Sequence, residues 1–157
     1  MVSILFAGAG LITDQADDPT SLRTLDVDAD GDLDLVTASR GDNKIAWYRN
    51  LGSGAFGSQQ VMSNSAVQPL ELETVDVDQD GNLDVVSASS GDNKVAWYEN
   101  LTGSFASEQV ISSSVPGAAA LTSGDLNGNT RQDIVVASPP TNTISWFPNQ
   151  GGGSFAS

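Results

Sequence analysis

A nine-residue segment rich in aspartate occurs three times in the chain and restricts what the chain can fold into. The first two copies, Asp-Val-Asp-Ala-Asp-Gly-Asp-Leu-Asp at 26–34 and Asp-Val-Asp-Gln-Asp-Gly-Asn-Leu-Asp at 76–84, are nearly identical. Side-chain oxygens at positions 1, 3, 5 and 9, with glycine at position 6 and a carbonyl at position 7, are what Ca²⁺ requires of a short loop. Without a cation the crowded carboxylates would repel one another. The segment therefore predicts a calcium-binding loop.

The residues around each loop distinguish it from an EF-hand. An EF-hand has a glutamate at position 12 and a helix on each side, whereas position 12 here is Thr37, Ser87 or Val136. Segments rich in β-branched and apolar residues, or with alternating apolar residues, lie on both sides of the loops and favour strands. These segments are 21–25, 34–39, 70–75, 84–89 and 133–138. Each ion would therefore lie at a corner between two strands.

The repeat extends beyond the loop and has a period of about fifty residues. Phe6, Phe56 and Phe105 occupy equivalent positions, and each unit has two further strand-like segments after the pair around the loop. The third segments are 44–50, 94–100 and 143–149, and the fourth segments are 56–63 and 105–112. Four short antiparallel strands per repeat of this length are typical of a β-propeller blade. The sequence thus predicts an all-β fold with about three β-propeller blades.

The repeats resemble FG-GAP/VCBS-type repeats, the calcium-binding blades of integrin-α-like β-propellers. The resemblance rests on the Asp-x-Asp-x-Asp-Gly-x-x-Asp loop, the Trp-Tyr-x-Asn strand and Phe-Gly at 56–57, and it covers essentially the whole chain. It implies one Ca²⁺ on each of the first two loops, bound by four side chains and by the backbone carbonyl of position 7. The implied ligands are Asp26, Asp28, Asp30, Asp32 and Asp34 in the first loop, and Asp76, Asp78, Asp80, Asn82 and Asp84 in the second.

The third loop, residues 125–133, departs from this pattern. It keeps the first and last aspartates but has two asparagines between them, threonine in place of the glycine, and arginine at position 7. Fewer carboxylates and the missing glycine both lower the affinity for a cation, so we expect this site to be weak or empty. Substitution of Asp133 should accordingly matter less than substitution of Asp84. The candidate ligands of this loop are Asp125, Asn127, Asn129, Arg131 and Asp133.

Three blades are too few to close a propeller, which needs roughly four to eight. We therefore expect residues 1–13 to form an outer strand that completes the third blade of a neighbouring chain. Blades are expected at 14–63, 64–112 and 113–157, the last with an incomplete outer strand. A symmetric dimer would then hold roughly six blades, which is within the closing range. The alternative is that the chain is a piece of a longer repetitive polypeptide.

Composition argues against several classes of function. A formal charge of −14 with six basic residues disfavours nucleic acid or an anionic membrane surface as a partner, and no apolar run is long enough for membrane insertion. Without His or Cys, no Ser/His or Cys/His nucleophile pair can form. The aspartates have the spacing of metal ligands, which accounts for them more simply than a carboxylate-pair hydrolase does. We therefore expect no enzymatic activity.

The resemblance implies an extracellular or cell-surface protein. The leading interpretation is a calcium-stabilised β-propeller module for binding or adhesion, with a glycan or a protein as its ligand. The alternative is an architectural protein whose chains assemble into a filament or surface layer, and a hydrolase is the third interpretation. Trp47, Trp97 and Trp146 recur at one position of the repeat, which favours packing between blades over stacking on a sugar.

Overall fold

The computed structural model describes residues 10–156, and this part of the chain is built almost entirely of β-strands. A single turn of 3-10 helix, Pro139–Thr141, is the exception within the described residues. The strands are β1 (Pro19–Leu25), β2 (Asp34–Ser39), β3 (Lys44–Tyr48), β4 (Gln60–Ser63), β5 (Pro69–Val75), β6 (Asp84–Ser89), β7 (Lys94–Tyr98), β8 (Gln109–Ser112), β9 (Ala120–Gly124), β10 (Asp133–Ser138), β11 (Thr143–Phe147), β12 (Asn149–Gly151) and β13 (Ser154–Phe155). The predicted all-β class is confirmed.

Each repeat folds into an antiparallel sheet whose strands are neighbours in chain order. Blade 1 is the sheet β1-β2-β3-β4, blade 2 is β5-β6-β7-β8, and blade 3 contains β9, β10 and β11. The register is the same in all three, because the central strand pairs Val36 with Trp47 in blade 1, Val86 with Trp97 in blade 2 and Val135 with Trp146 in blade 3. The prediction of four-stranded, propeller-like blades is confirmed by the first two sheets.

The outer strands are shorter than the sequence predicts. β4 and β8 begin at Gln60 and Gln109, whereas Phe56 and Phe105 form only single bridges to Asn50 and Asn100. Turns with left-handed residues, at 52–54 and 102–103, connect the two residues of each bridge. In blade 3 the same bridge is enlarged into the hairpin β12–β13, which pairs Asn149 with Phe155.

The outer strand predicted at 1–13 lies mostly outside the described residues. Residues 10–13 are described and form no strand. Within residues 10–156, no outer strand pairs with β11, and the third sheet has three strands.

The hydrophobic core lies between the blades. One cluster joins Val36, Ile45 and Trp47 of blade 1 to Leu72, Val85 and Tyr98 of blade 2, and an equivalent cluster joins blade 2 to blade 3. We call the face that carries Val36, Ile45 and Trp47, with its equivalents in the other blades, the forward face. The face that carries Leu72, Val85 and Tyr98, with its equivalents, is the rear face. The forward faces of blades 1 and 2 therefore pack on the rear faces of blades 2 and 3.

The described residues contain no helix that is long and apolar enough to cross a membrane.

Candidate metal centre

The three repeated loops, 26–34, 76–84 and 125–133, connect the first and second strands of each blade, as the sequence predicts. Two residues in every loop adopt the left-handed conformation, at positions four and six of the nine. In the first loop these are Ala29, with a φ of 59°, and Gly31, with a φ of 93°. Glycine adopts this conformation without steric cost, which explains why it occupies the position with the larger positive φ.

The first aspartate of each loop binds the backbone of its own loop. Asp26 accepts hydrogen bonds from the amides of Asp30, at 3.2 Å, and Gly31, at 3.0 Å. Asp76 accepts hydrogen bonds from the amides at positions four and six of its loop, and Asp125 accepts them from the amides at positions four, five and six. The carboxylate thus orients the loop amides and curls the loop around its own oxygens.

The ninth residue joins the loop to the rest of the blade. Asp84 is fully buried and accepts hydrogen bonds from the amides of Val77 and Asn100, both at 2.9 Å. Asp34 and Asp133 are equally buried and make the equivalent pairs of bonds. Each of these aspartates therefore holds the start of a loop against the end of the third strand.

Two groups of carboxylates form in this way, one on each of the first two loops. Oxygens of Asp26, Asp28 and Asp34 lie within 4.8 Å of one another, and so do those of Asp76, Asp78 and Asp84. The structure therefore brings together the residues at positions one, three and nine. Asp30 and Asp80, at position five, lie outside these groups. The role of Asp30 and Asp80 as cation ligands remains a prediction, and so does that of the carbonyls of Asp32, Asn82 and Arg131.

These groups suit a hard divalent cation. They offer only carboxylate oxygens, which Ca²⁺ and Mg²⁺ prefer over nitrogen or sulfur ligands. The Oδ1 atom of Asp28 is buried and has no hydrogen-bond partner in the described structure. A buried, unpaired carboxylate oxygen is costly, and a bound cation at this corner would satisfy it. Asp26, Asp28 and Asp34 would hold such an ion in the first loop, and Asp76, Asp78 and Asp84 in the second.

Burial also perturbs the protonation of these carboxyls. Desolvation raises the pKa of Asp84 to about 7, against the lowering effect of the amides of Asn100 and Val77, and nearby Asp78 and Asp80 raise it further. Burial raises the pKa of Asp34 in the same direction. Crowded, desolvated carboxyls resist ionisation unless a positive charge compensates them, so the corner is electrostatically prepared for a cation.

The third loop keeps the shape of the other two with a different distribution of residues. Its left-handed positions are Gly128, with a φ of 77°, and Thr130, with a φ of 68°. The glycine has therefore moved from position six to position four, a compensation that was visible in the sequence but that we did not predict. Asp125 and Asp133 are its only carboxylates, and they do not make up a group of three.

Contacts from the next blade reach the first two loops, and these were not predicted. The amide of Gly103 in blade 2 donates to the carbonyl of Val27 in the first loop, at 2.8 Å. The side chain of Asn149 in blade 3 donates to the carbonyl of Val77 in the second loop, also at 2.8 Å. Each of the first two loops is therefore held in place by a hydrogen bond from the next blade.

A groove of about 380 Å³ lies where the loops of blades 1 and 2 meet. It is open beside Ala29, whereas the equivalent residue of the second loop, Gln79, extends to blade 3 and donates to the carbonyl of Thr130 at 3.2 Å. The residues that line the groove combine apolar and polar groups: Thr24, Leu25, Asp26, Ala29, Leu33, Gly81, Asn82 and Leu83.

Comparisons with known proteins agree with this geometry. The model of the FG-GAP-like repeat family matches the chain twice, over residues 26–87 and 76–136. Among solved structures, the chain is similar to a lectin from Agrocybe aegerita, with a TM-score of 0.61 and 20% sequence identity. That lectin is described as specifically recognising non-reducing terminal N-acetylglucosamine. The similarity covers 87% of this chain and 37% of the lectin chain, so this chain spans well under half of the lectin. No curated protein matches the chain.

Proposed function

We propose a function from the family to which the chain belongs, that of FG-GAP-like repeats, whose model matches more than half of the residues of the chain. The protein is a calcium-stabilised, extracellular β-propeller module that binds a glycan or protein ligand. The observation that carries the metal assignment is the repetition of one carboxylate group, Asp26, Asp28 and Asp34, at the equivalent corner of blade 2. A merely acidic surface would not place three carboxylates at the same corner twice.

Calcium would stabilise the protein by compensating the carboxylates that the fold brings together. The ion would tie the loop to Asp34 or Asp84, which already connect it to the third strand. Loops of this kind work at the calcium concentrations found outside cells, on the order of a millimolar for weak modules. This supports the proposed extracellular or cell-surface location.

The metal assignment is tested by a thermal melt with calcium or with EDTA. A cation that binds only the folded state at a hundred times its dissociation constant adds about 2.7 kcal/mol of stability. For a domain of this size, that corresponds to a rise in melting temperature of about 5–10 °C. Equal melting temperatures in calcium and in EDTA would refute the calcium assignment.

The groove beside Ala29 is the candidate ligand surface. Its volume lies within the range of small-molecule sites, and polar groups from Thr24, Asp26 and Asn82 occur among apolar side chains. The similar Agrocybe aegerita lectin is described as recognising terminal N-acetylglucosamine, so a glycan with that terminal sugar is the first probe. We expect its binding to this chain to be detectable by calorimetry in calcium, and a glycan array without any positive sugar would favour a protein ligand.

The family match and the similar fold favour a binding module over an enzyme. The alternative function is architectural, with chains that assemble into a filament or surface layer. One observation favours it, namely that none of the described residues 10–156 forms a blade that covers the forward face of blade 3. In either case we propose that the protein forms a homo-oligomer, and that residues 1–13 add an outer strand to a neighbouring blade.

A further inference from the structure

The forward face of blade 3 is exposed where its two counterparts are buried. Ile144 is 77% exposed, whereas the equivalent residues Ile45 and Val95 are both 0% exposed. Trp146 is 45% exposed, whereas the equivalent tryptophans of blades 1 and 2 are 4% and 3% exposed. In blades 1 and 2 the next blade covers this face. The difference therefore arises from the neighbour and not from the type of side chain.

The first apolar residue of the third loop shows the same difference. Val27 and Val77 are fully buried under the following blade, but the equivalent Leu126 is more than half exposed. The open face also contains an apolar groove of about 270 Å³ whose lining carries no charged residue. The groove is lined by Ala120, Leu121, Thr122, Val135, Ala137 and Ile144.

A matching surface lies at the other end of the blade array. On the rear face of blade 1, Leu22 is 56% exposed, whereas its equivalents Leu72 and Leu121 are 0% and 8% exposed. Leu35 of the same face is partly exposed, although its equivalent Val85 is fully buried. The chain thus presents an uncovered forward face at one end and a partly uncovered rear face at the other.

We propose that the forward face of blade 3 docks on the rear face of blade 1 of a second copy of this chain. The argument is continuity, because both interfaces between blades inside the chain join a forward face to a rear face built from the same positions. A head-to-tail interface of this kind produces either a closed ring or an open filament. Propellers close with roughly four to eight blades, and two copies of the three described blades would together supply six.

This inference deepens the proposed function by naming the partner and the surface. It rests on the propeller architecture and does not depend on calcium or on a glycan. The dimer would bury Ile144 and Trp146 against Leu22 of the second copy. It would also cover Leu126 in the way that blades 2 and 3 cover Val27 and Val77.

The test is the mass of the full chain in solution, measured by light scattering over a range of concentrations in calcium and again in EDTA. We expect twice the 16.2 kDa of one chain. Ile144→Asp should weaken the dimer about thirtyfold or more, the size expected of an interface hot spot. Because Ile144 is exposed in the single chain, this variant should keep the fold and its calcium-dependent rise in melting temperature.

The matched control is Val110→Asp. Val110 is 55% exposed on the outer strand β8 although blade 1 already covers the rear face of blade 2. An aspartate there should leave the dimer intact. Dilution of the wild type should also shift the tryptophan fluorescence to longer wavelength as Trp146 becomes exposed, and Ile144→Asp should show the shifted spectrum at every concentration.

Two results would overturn the proposal. A wild-type chain that remains at 16.2 kDa at every concentration would favour a further blade of the same polypeptide as the occupant. A mass that grows without limit would overturn the closed dimer, because the same docking would then continue into an open filament. Because neither result depends on the calcium melt, a failure of this proposal can be distinguished from a failure of the metal assignment.

Discussion

Arg49 reaches back from the end of β3 to the first loop, where its Nε atom lies 2.6 Å from Oδ2 of Asp28. Its Nη2 atom lies 3.0 Å from Oδ2 of Asp30. The guanidinium, after the amide of Asp32, helps to lower the pKa of Asp30. The equivalent residue of blade 2 is Glu99. The two loops therefore have nearly the same sequence, but the residue that follows the third strand is basic in blade 1 and acidic in blade 2.

We predict that Arg49→Gln strengthens cation binding by the first loop. In the wild type, the guanidinium compensates the same carboxylates that a cation would use, so the two compete. Since Arg49 is half exposed, the gain should be a few-fold, as expected of a partly solvated ion pair. Calcium titration by calorimetry should resolve a weaker and a stronger site in the wild type.

The control for Arg49→Gln is Glu99→Gln, which removes a charge at the equivalent position of blade 2. It should leave the first loop unchanged and weaken only the second. If neither site changes in Arg49→Gln, the arginine does not compete with the cation.

Asp78→Asn should remove cation binding from the second loop without harm to the metal-free fold. The side chain of Asp78 accepts a hydrogen bond from the amide of Asp80, and Asn127 makes the equivalent bond in the third loop. An asparagine is therefore compatible with this backbone, and the substitution removes only the negative charge. Melts in EDTA should match those of the wild type, whereas the stabilisation by calcium should decrease.

Asp133→Ala should show the opposite pattern. Asp133 is fully buried and accepts bonds from the amides of Leu126 and Asn149. Its removal leaves two amides unpaired, which costs about 2–4 kcal/mol of unfolding free energy. Denaturant unfolding should show this loss equally in calcium and in EDTA. A variant as stable as the wild type would contradict the structural role of the ninth aspartate.

The role of Asp133 shows where reasoning from the sequence stops. We expected its substitution to matter less than that of Asp84, because the third loop has too few carboxylates for a cation. The structure adds a second task, the two buried hydrogen bonds, which the residue performs without any ion. The sequence shows the charges along the chain, but the amide of Asn149 becomes a neighbour of Asp133 only when β11 pairs with β10.

The fold was predictable because its signals are local and repeated. Alternating apolar residues, turn residues and the fifty-residue period all indicate the same blade. The environment of Trp146 was not predictable from those signals, since the three tryptophans occupy one position of the repeat. Two of them are buried by a following blade and the third is half exposed. The contact between Arg49 and Asp28 likewise depends on how a strand end folds back over a loop.

Ala29 has a small side chain that leaves the groove between the first two loops open. Ala29→Gln should fill this groove, because Gln79 at the equivalent position spans the distance to the next blade. Both residues have a left-handed backbone, with φ values of 59° and 69°, so the substitution adds no new strain. Binding of a glycan should be lost, while the calcium-dependent rise in melting temperature should remain. Retained glycan binding would place the ligand elsewhere.

The raised pKa of Asp84 predicts how the metal-free protein responds to pH. The carboxyl titrates at about 7 in the folded protein but near its ordinary value of 3.8 when unfolded. Between these values the folded state binds more protons, so the unfolding free energy falls as the pH rises through this interval. In EDTA, the melting temperature should therefore decrease between about pH 4 and pH 7, the interval between the two pKa values.

Calcium should reverse this trend, because it binds the ionised carboxyl. The gain in melting temperature on adding calcium should grow over the same pH interval, as the proton that competes for Asp84 is lost. Asp84→Asn provides the control, since it has no proton to release there. It should be less stable at every pH, because asparagine cannot accept both amide bonds of Val77 and Asn100, and its melting temperature should vary less with pH. A wild-type melt in EDTA that is flat or rises across the interval would show that Asp84 is already ionised at acid pH in the folded protein.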